Sequence, residues 1–91
     1  MGKIKNWSKS RSAKNWWNHG ETVNQNPDGY LRIVFDKVYG YIVIAHRNGE
    51  KEIRVNNQNI FSESEAKSFA FMWMKANPEM NLKKGKYYYN K

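Results

Sequence analysis

The chain contains no cysteine, which excludes a disulfide framework and any thiolate able to ligate a metal or attack a substrate. A cytoplasmic protein is the expectation that follows. Long apolar runs are missing too. No segment approaches the ~18 residues of a membrane span, and no apolar core of ~7–15 residues follows the basic N-terminal positions as a secretory signal requires. Proline occurs only at Pro27 and Pro78, each suited to a boundary. The absence with most consequence is that of acid at the two ends. Residues 1–20 carry five Lys or Arg and residues 82–91 carry four, with no Asp or Glu in either, while residues 21–81 carry seven against eight. The net charge of +8 therefore belongs to the flanks, and a nearly neutral body between two cationic ends makes a field suited to a long polyanion. Two solvated tails that only aid solubility give the same tally.

Aromatic residues are plentiful by contrast. At 15% aromatic and 40% hydrophobic, the 91 residues are apolar enough for one folded domain and too few for two. Gly20, Gly29, Gly40 and Gly49 punctuate short β-rich runs at the spacing of a meander. Asn26-Pro27-Asp28-Gly29 is predicted to turn a weak strand at residues 21–25 into a strong one at 30–36. There Leu31, Ile33 and Phe35 alternate with Tyr30, Arg32 and Val34. Asn48-Gly49 predicts a two-residue hairpin loop with both residues at positive φ. That register sets Arg47 opposite Glu50, Ile44 opposite Ile53 and Ile42 opposite Val55. Ile42, Ile44 and His46 then face one way, and Tyr41, Val43, Ala45, Arg47, Glu52 and Arg54 the other.

A helix starting at Ser62, with Glu65 completing the capping box, is predicted to stop at Asn77-Pro78. Its Ala66, Phe69, Met72, Trp73 and Ala76 form a stripe able to close the apolar sheet face, whereas Phe71 and Met74 fall off the stripe and need cover from a terminal segment or a partner. The predicted fold class is α+β, a four-stranded antiparallel meander with one C-terminal helix packed on one face. Residues 13–80 make that single domain, with a flexible basic arm at 1–12 and a basic Tyr/Lys-rich tail at 81–91.

Catalytic signals are few. His19 and His46 have neither cysteine nor carboxylate at metal-site or nucleophile spacing, Glu50 and Glu52 are assigned to the hairpin, Glu63 and Glu65 to the helix start, and every punctuating glycine to a turn. The expectation is a protein that is not an enzyme and uses no metal or cofactor. Binding groups are easier to name. Tyr30, Arg32, Tyr41, Arg47 and Arg54 would share the open sheet face, where guanidinium groups clamp phosphate or base edges and rings stack. The alternative is a solvated face on which Glu50 and Glu52 neutralise Arg47 and Arg54.

The stretch KIKNWSKSRSAKNWWNHG, residues 3–20, sets Lys3, Lys5, Lys9, Arg11 and Lys14 among Trp7, Trp16 and Trp17. Burial of three indoles offsets only part of the ~1.5 kcal/mol per residue needed to fix such a segment. Trp16 and Trp17 are therefore expected to pin the root of the arm and leave residues 1–12 mobile, with Trp7 a packing or a base-stacking residue. At the other end Lys83, Lys84 and Lys86 with Tyr87, Tyr88 and Tyr89 repeat the mixture of charge and rings. The three tyrosines equally suit an added strand or a dimer contact.

Asn6-Trp7-Ser8, Arg11, Trp17 with His19, Asp28-Gly29-Tyr30, and Trp73-Met74 before Asn77-Pro78 resemble the short motifs of a group of small uncharacterised archaeal proteins. The resemblance spans roughly residues 6–78 and implies no activity or binding residue. In architecture, a sheet followed by a covering helix is similar to integrase arm-binding domains, which lay a three-stranded sheet on DNA. The extra strand at 21–25 and the acids Glu50 and Glu52 depart from that pattern. The function expected is nucleic-acid binding, with double-stranded DNA preferred, through both termini and the open Tyr/Arg face. The competing expectation is an interaction or homodimerising module that uses Phe71, Met74 and Tyr87–Tyr89. A membrane-surface role is disfavoured because the helix has no basic face.

Overall fold

Strands succeed one another across the sheet in chain order. β1 (Trp7–Lys9), β2 (Trp16–His19), β3 (Gly29–Asp36), β4 (Gly40–Arg47) and β5 (Ile53–Arg54) precede the helix α1 (Glu63–Ala76), and β6 (Tyr87–Tyr88) follows it and pairs with β5. Every pairing is antiparallel. The computed structural model describes residues 4–20, 28–80 and the backbone of 87–88. The strand expected at 21–25 and the turn residues Asn26 and Pro27 lie outside these. The α+β class and the single helix on one face agree with the sequence reading. The count of four strands does not, because the N-terminal segment supplies β1 and β2 and Tyr87–Tyr88 adds β6.

The helix begins where its cap chemistry requires. Ser62 Oγ accepts from the Glu65 amide at 3.4 Å, acids occupy the first turn, and the chain leaves the helix at Asn77. Its buried line, however, is Ala66, Ala70 and Met74, not the expected stripe through Met72 and Ala76, both of which are exposed. Small alanines let the helix lie close to the sheet, and the larger Phe69, Phe71 and Trp73 pack against the core from its flanks. Trp17 meets Phe71 edge-on at 5.6 Å and Trp7 meets Trp73 at 6.0 Å, so the cover for Phe71 comes from the N-terminal segment of the same chain. Met74 is fully buried and offers no surface to a partner.

The β4–β5 register differs by one residue from the expectation. Ala45 lies opposite Ile53 and Ile44 opposite Arg54. Gly49 takes φ +85 but Asn48 is not among the residues at positive φ, so the two-residue loop that needs both is not formed, and a turn closes instead through the Glu50 amide and Arg47 carbonyl at 2.9 Å. A slip of one exchanges the faces. Val43 and Ala45 join Leu31, Ile33 and Ile53 under the helix, and Ile42, Ile44 and His46 point away from it. β5 is short because Asn56, wholly buried, takes over the ladder: its Oδ1 accepts from the Val43 amide at 2.9 Å and its Nδ2 donates to the Tyr41 carbonyl at 3.2 Å.

The largest departure is at the N-terminus. The segment expected to be a mobile arm pairs through Trp7–Lys9 with β2, and Trp7 is 5% exposed. Its indole Nε1 donates to the Asn77 carbonyl at 3.2 Å, and Asn6 Nδ2 donates to the Pro78 carbonyl at 2.9 Å. His19, also buried, completes the clasp with Nε2 on the Pro78 carbonyl at 2.7 Å and Nδ1 against Asp28 Oδ1 at 2.6 Å. Carbonyls just beyond a helix end lack helical donors, and here the first strands provide them. Trp7 is therefore a packing residue. Replacing it with Ala should cost about 3–5 kcal/mol in urea unfolding, a large share of the ~5–15 kcal/mol that small domains possess. A loss below about 1 kcal/mol, as for a surface site, would contradict the clasp.

Candidate nucleic-acid interface

On the sheet face away from α1, cross-strand pairing sets Asn18, Tyr30 and His46 in one row and Trp16, Arg32, Ile44 and Arg54 in the next. The rings form a ladder. Trp16 lies 4.4 Å from Tyr30, Tyr30 stacks on His46 at 4.8 Å, and the Arg32 guanidinium sits 6.0 Å from the Trp16 ring. Glu52 ties the ladder together. It accepts from Tyr30 Oη at 2.5 Å and from Arg32 Nε and Nη2 at 3.0 and 3.2 Å. Burial, then the bond to Glu52 and its charge, push the Tyr30 phenol up to about 12. Burial alone would raise the Glu52 carboxyl, but the hydrogen bonds from Arg32 and Tyr30 and the Arg32 charge outweigh it and hold the group below its ordinary value.

This face is therefore a closed network. Tyr30, Arg32 and Arg54 share it, whereas Tyr41 and Arg47 lie on the helix side, a consequence of the register. Tyr41 packs on the core and beside Phe35 at 4.9 Å. Arg47 donates to the Glu79 carbonyl at 3.1 Å. Arg54 reaches Asn56 Oδ1, the Gln58 carbonyl and Asn59 Oδ1, each at 3.4 Å. The ion pair expected for Glu52 with Arg54 is made with Arg32 instead. His46, expected beside the helix, belongs to the ladder.

The N-terminal cations are placed differently. Lys5, Lys9, Arg11 and Lys14 are all exposed on the β1–β2 hairpin, and residues 4–20 contain no acid. Lys9 Nζ donates to the Ser10 and Ala13 carbonyls at 3.3 and 3.2 Å and lies 5.7 Å from the Trp17 ring. Ser10 Oγ accepts from the Ser12 and Ala13 amides at 3.2 and 3.0 Å, so the loop carrying Arg11 has internal bonds of its own. Lys14 approaches Glu63 at 3.7 Å, an exposed and weak pair. Asn15 donates to the same carboxylate at 3.0 Å, and these contacts, Asn15 first, hold Glu63 below its ordinary value. Lys3, Lys83, Lys84, Lys86 and Tyr89 lie outside the described residues. Tyr87 and Tyr88 make the added strand β6.

A surface that the sequence reading passed over lies at the end of the sheet reached by the hairpin loop. The Ile33 amide donates to the Asn15 carbonyl at 3.0 Å, which sets that loop beside the C-terminal half of β3. Beyond it Phe35 is 60% exposed, Val38 69%, Tyr39 52% and Phe61 64%. Phe35 has the strand parity of the buried Leu31 and Ile33 but lies past the cover of α1. The signal available in the sequence was the concentration of apolar residues around the turn in FDKVYGY, more than a solvated turn needs.

No protein-family model, curated protein or solved structure matches this chain. Asn6, Trp7 and His19 gather in the clasp against Asn77 and Pro78, with Asp28 against His19. Their arrangement is one of packing. Among the described residues no three His, Asp or Glu side chains gather as a metal site, and no helix is long and apolar enough to cross a membrane.

The Glu52 network has a defined pH signature. A carboxyl depressed in the folded state contributes stability above its unfolded value of 4.5 that is lost as pH falls through the folded value. The urea midpoint should therefore fall from about pH 5 to about pH 3 more steeply in the native chain than in Glu52→Gln. Equal slopes would show that Glu52 contributes nothing there. At the alkaline end the sign reverses: the neutral Tyr30 phenol stabilises below about 10 and its contribution is lost as pH rises to about 12.

Proposed function

We propose that the protein binds nucleic acid through phosphate contacts, with the β1–β2 hairpin as its described cationic surface and the lysines near the C-terminus adding to it. The observation that supports this is the placement of Lys5, Lys9, Arg11 and Lys14, exposed and without an intervening acid, on a hairpin that belongs to the sheet. Ordered cations on a folded hairpin bind a polyanion without the ordering cost a loose tail would incur. Preference for duplex DNA leaned on a free Tyr/Arg face entering a groove. With Tyr30 and Arg32 engaged by Glu52, groove reading loses its support and backbone contact keeps its own, so sequence-independent binding is the form proposed. The competing module built on Phe71, Met74 and Tyr87–Tyr89 loses the support of its first two residues, since one is covered by Trp17 and the other is buried.

With about six cations engaged, log K for duplex DNA should fall against log salt with a slope of about −5. Arg11→Ala with Lys14→Ala should reduce that slope by about 2 units while leaving the urea midpoint nearly unchanged. A flat salt response would end this reading.

A further inference from the structure

Within the nucleic-acid reading, we infer that the preferred ligand is single-stranded, its bases stacking on Phe35, Tyr39 and Phe61 while Arg11, Lys14 and Lys37 hold its phosphates. The inference rests on that reading and deepens it. Three rings more than half exposed at one end of a 91-residue chain form an apolar surface that contributes little to the fold. Two other large rings of the chain, Trp7 and Trp17, are each 5% exposed. Exposed apolar surface of this kind marks a contact.

The backbone beneath these rings is tied down. Asp36 Oδ1 accepts from the Val38 and Tyr39 amides at 2.7 and 3.0 Å, which fixes the turn. The Tyr41 amide donates to the Ile60 carbonyl at 2.6 Å, joining the segment before α1 to β4. A Cβ at Gly40 would meet the Ile60 carbonyl oxygen first and then the Phe61 ring, whose Cδ1 lies 2.9 Å from that position, so β4 passes close against both residues. Phe61 is thereby held beside the turn, and Phe35 beside Tyr41. Rings on such a platform are preorganised for stacking.

Charge at this end selects the partner. Lys37 lies in the turn itself, Lys14 stands at the helix start two residues beyond Phe61 through its pairing with Glu63, and Arg11 belongs to the same hairpin loop. Of the acids nearby, Asp36 is engaged with turn amides and Glu63 with Asn15 and Lys14, while Glu65 stands exposed in the first turn of α1. An anionic ligand with flat apolar faces is what such a surface accommodates. A duplex hides its base faces inside the stack, whereas a single strand presents both phosphates and rings. Three aromatic rings against one aliphatic residue, Val38, favour bases over lipid chains, and vesicle binding is one outcome of the test.

The test uses the full chain and fluorescence anisotropy against a thymidine oligonucleotide of about 15 nucleotides, a mixed-sequence duplex, and phosphatidylserine vesicles. The single strand should bind about tenfold or more tightly than the duplex. Tyr39→Ser with Phe61→Ser should weaken single-strand binding about a hundredfold and duplex binding less than about twofold, with the salt slope unchanged. If the double variant melts early, Tyr39→Ser alone, in the turn, should still lose about tenfold on the single strand. Steep salt dependence on both nucleic acids with no effect of the ring variants overturns this inference and leaves phosphate binding standing. Salt-independent or absent binding to both, or binding to vesicles in their place, overturns both.

Discussion

Beyond the last turn of α1, the carbonyls of Asn77 and Pro78 accept hydrogen bonds from Trp7, Asn6 and His19, side chains that enter from the opposite end of the chain. The contact satisfies the Pro78 carbonyl and adds a second donor to the Asn77 carbonyl, which also accepts from the Met80 amide at 3.0 Å. It also buries an indole and an imidazole against each other at 4.6 Å. Because Pro78 offers only an acceptor, His19 must donate to it from Nε2, which turns the other ring nitrogen toward Asp28 and the start of β3. One cluster thus joins β1, β2, the β3 entry and the helix. Loss of a member leaves the others with buried polar groups unmatched.

That junction decides where the charge sits. An N-terminus free of the fold would sweep its cations through solvent, whereas the clasped hairpin holds Lys9, Arg11 and Lys14, with Lys5 just before it, exposed on a segment paired into the sheet. Three of the acids, meanwhile, have partners within the chain: Glu52 with Tyr30 and Arg32, Asp36 with its turn, and, at the surface, Glu63 with Asn15 and Lys14. Net charge from composition becomes directional through these local pairings.

Parts of this were legible in the sequence. The helix limits were, because Ser62 and Asn77-Pro78 are strong local signals. The faces of β3 were, because Leu31 and Ile33 alternate with Tyr30 and Arg32. β4 was not, since Ile42, Val43, Ile44 and Ala45 are apolar at both parities and all four are buried. Periodicity cannot choose a face for such a run. The choice fell to a turn in which Gly49 adopts positive φ and Asn48 does not, and with it went the positions of Tyr41 and Arg47. Packing was open to Trp7 in the sequence, but the order of the segment around it was not legible, for a different reason: the partner of its indole lies 70 residues away, and no local pattern carries that information. The cations of the candidate interface could be named from the sequence, while the commitment of Arg32 to Glu52 required the fold.

Native-state hydrogen exchange of the free protein follows directly from the clasp. The Gly20 amide, bonded to the Asn6 carbonyl, and the Ser10 amide, bonded to the Trp16 carbonyl, each at 2.9 Å, should exchange only through the same global opening as the amides of Ala70 and Phe71 in α1. Exchange of the first two at unprotected rates while the helix stays protected would show the cationic segment to be a loose arm, and the ordered hairpin surface on which the proposed function rests would be lost.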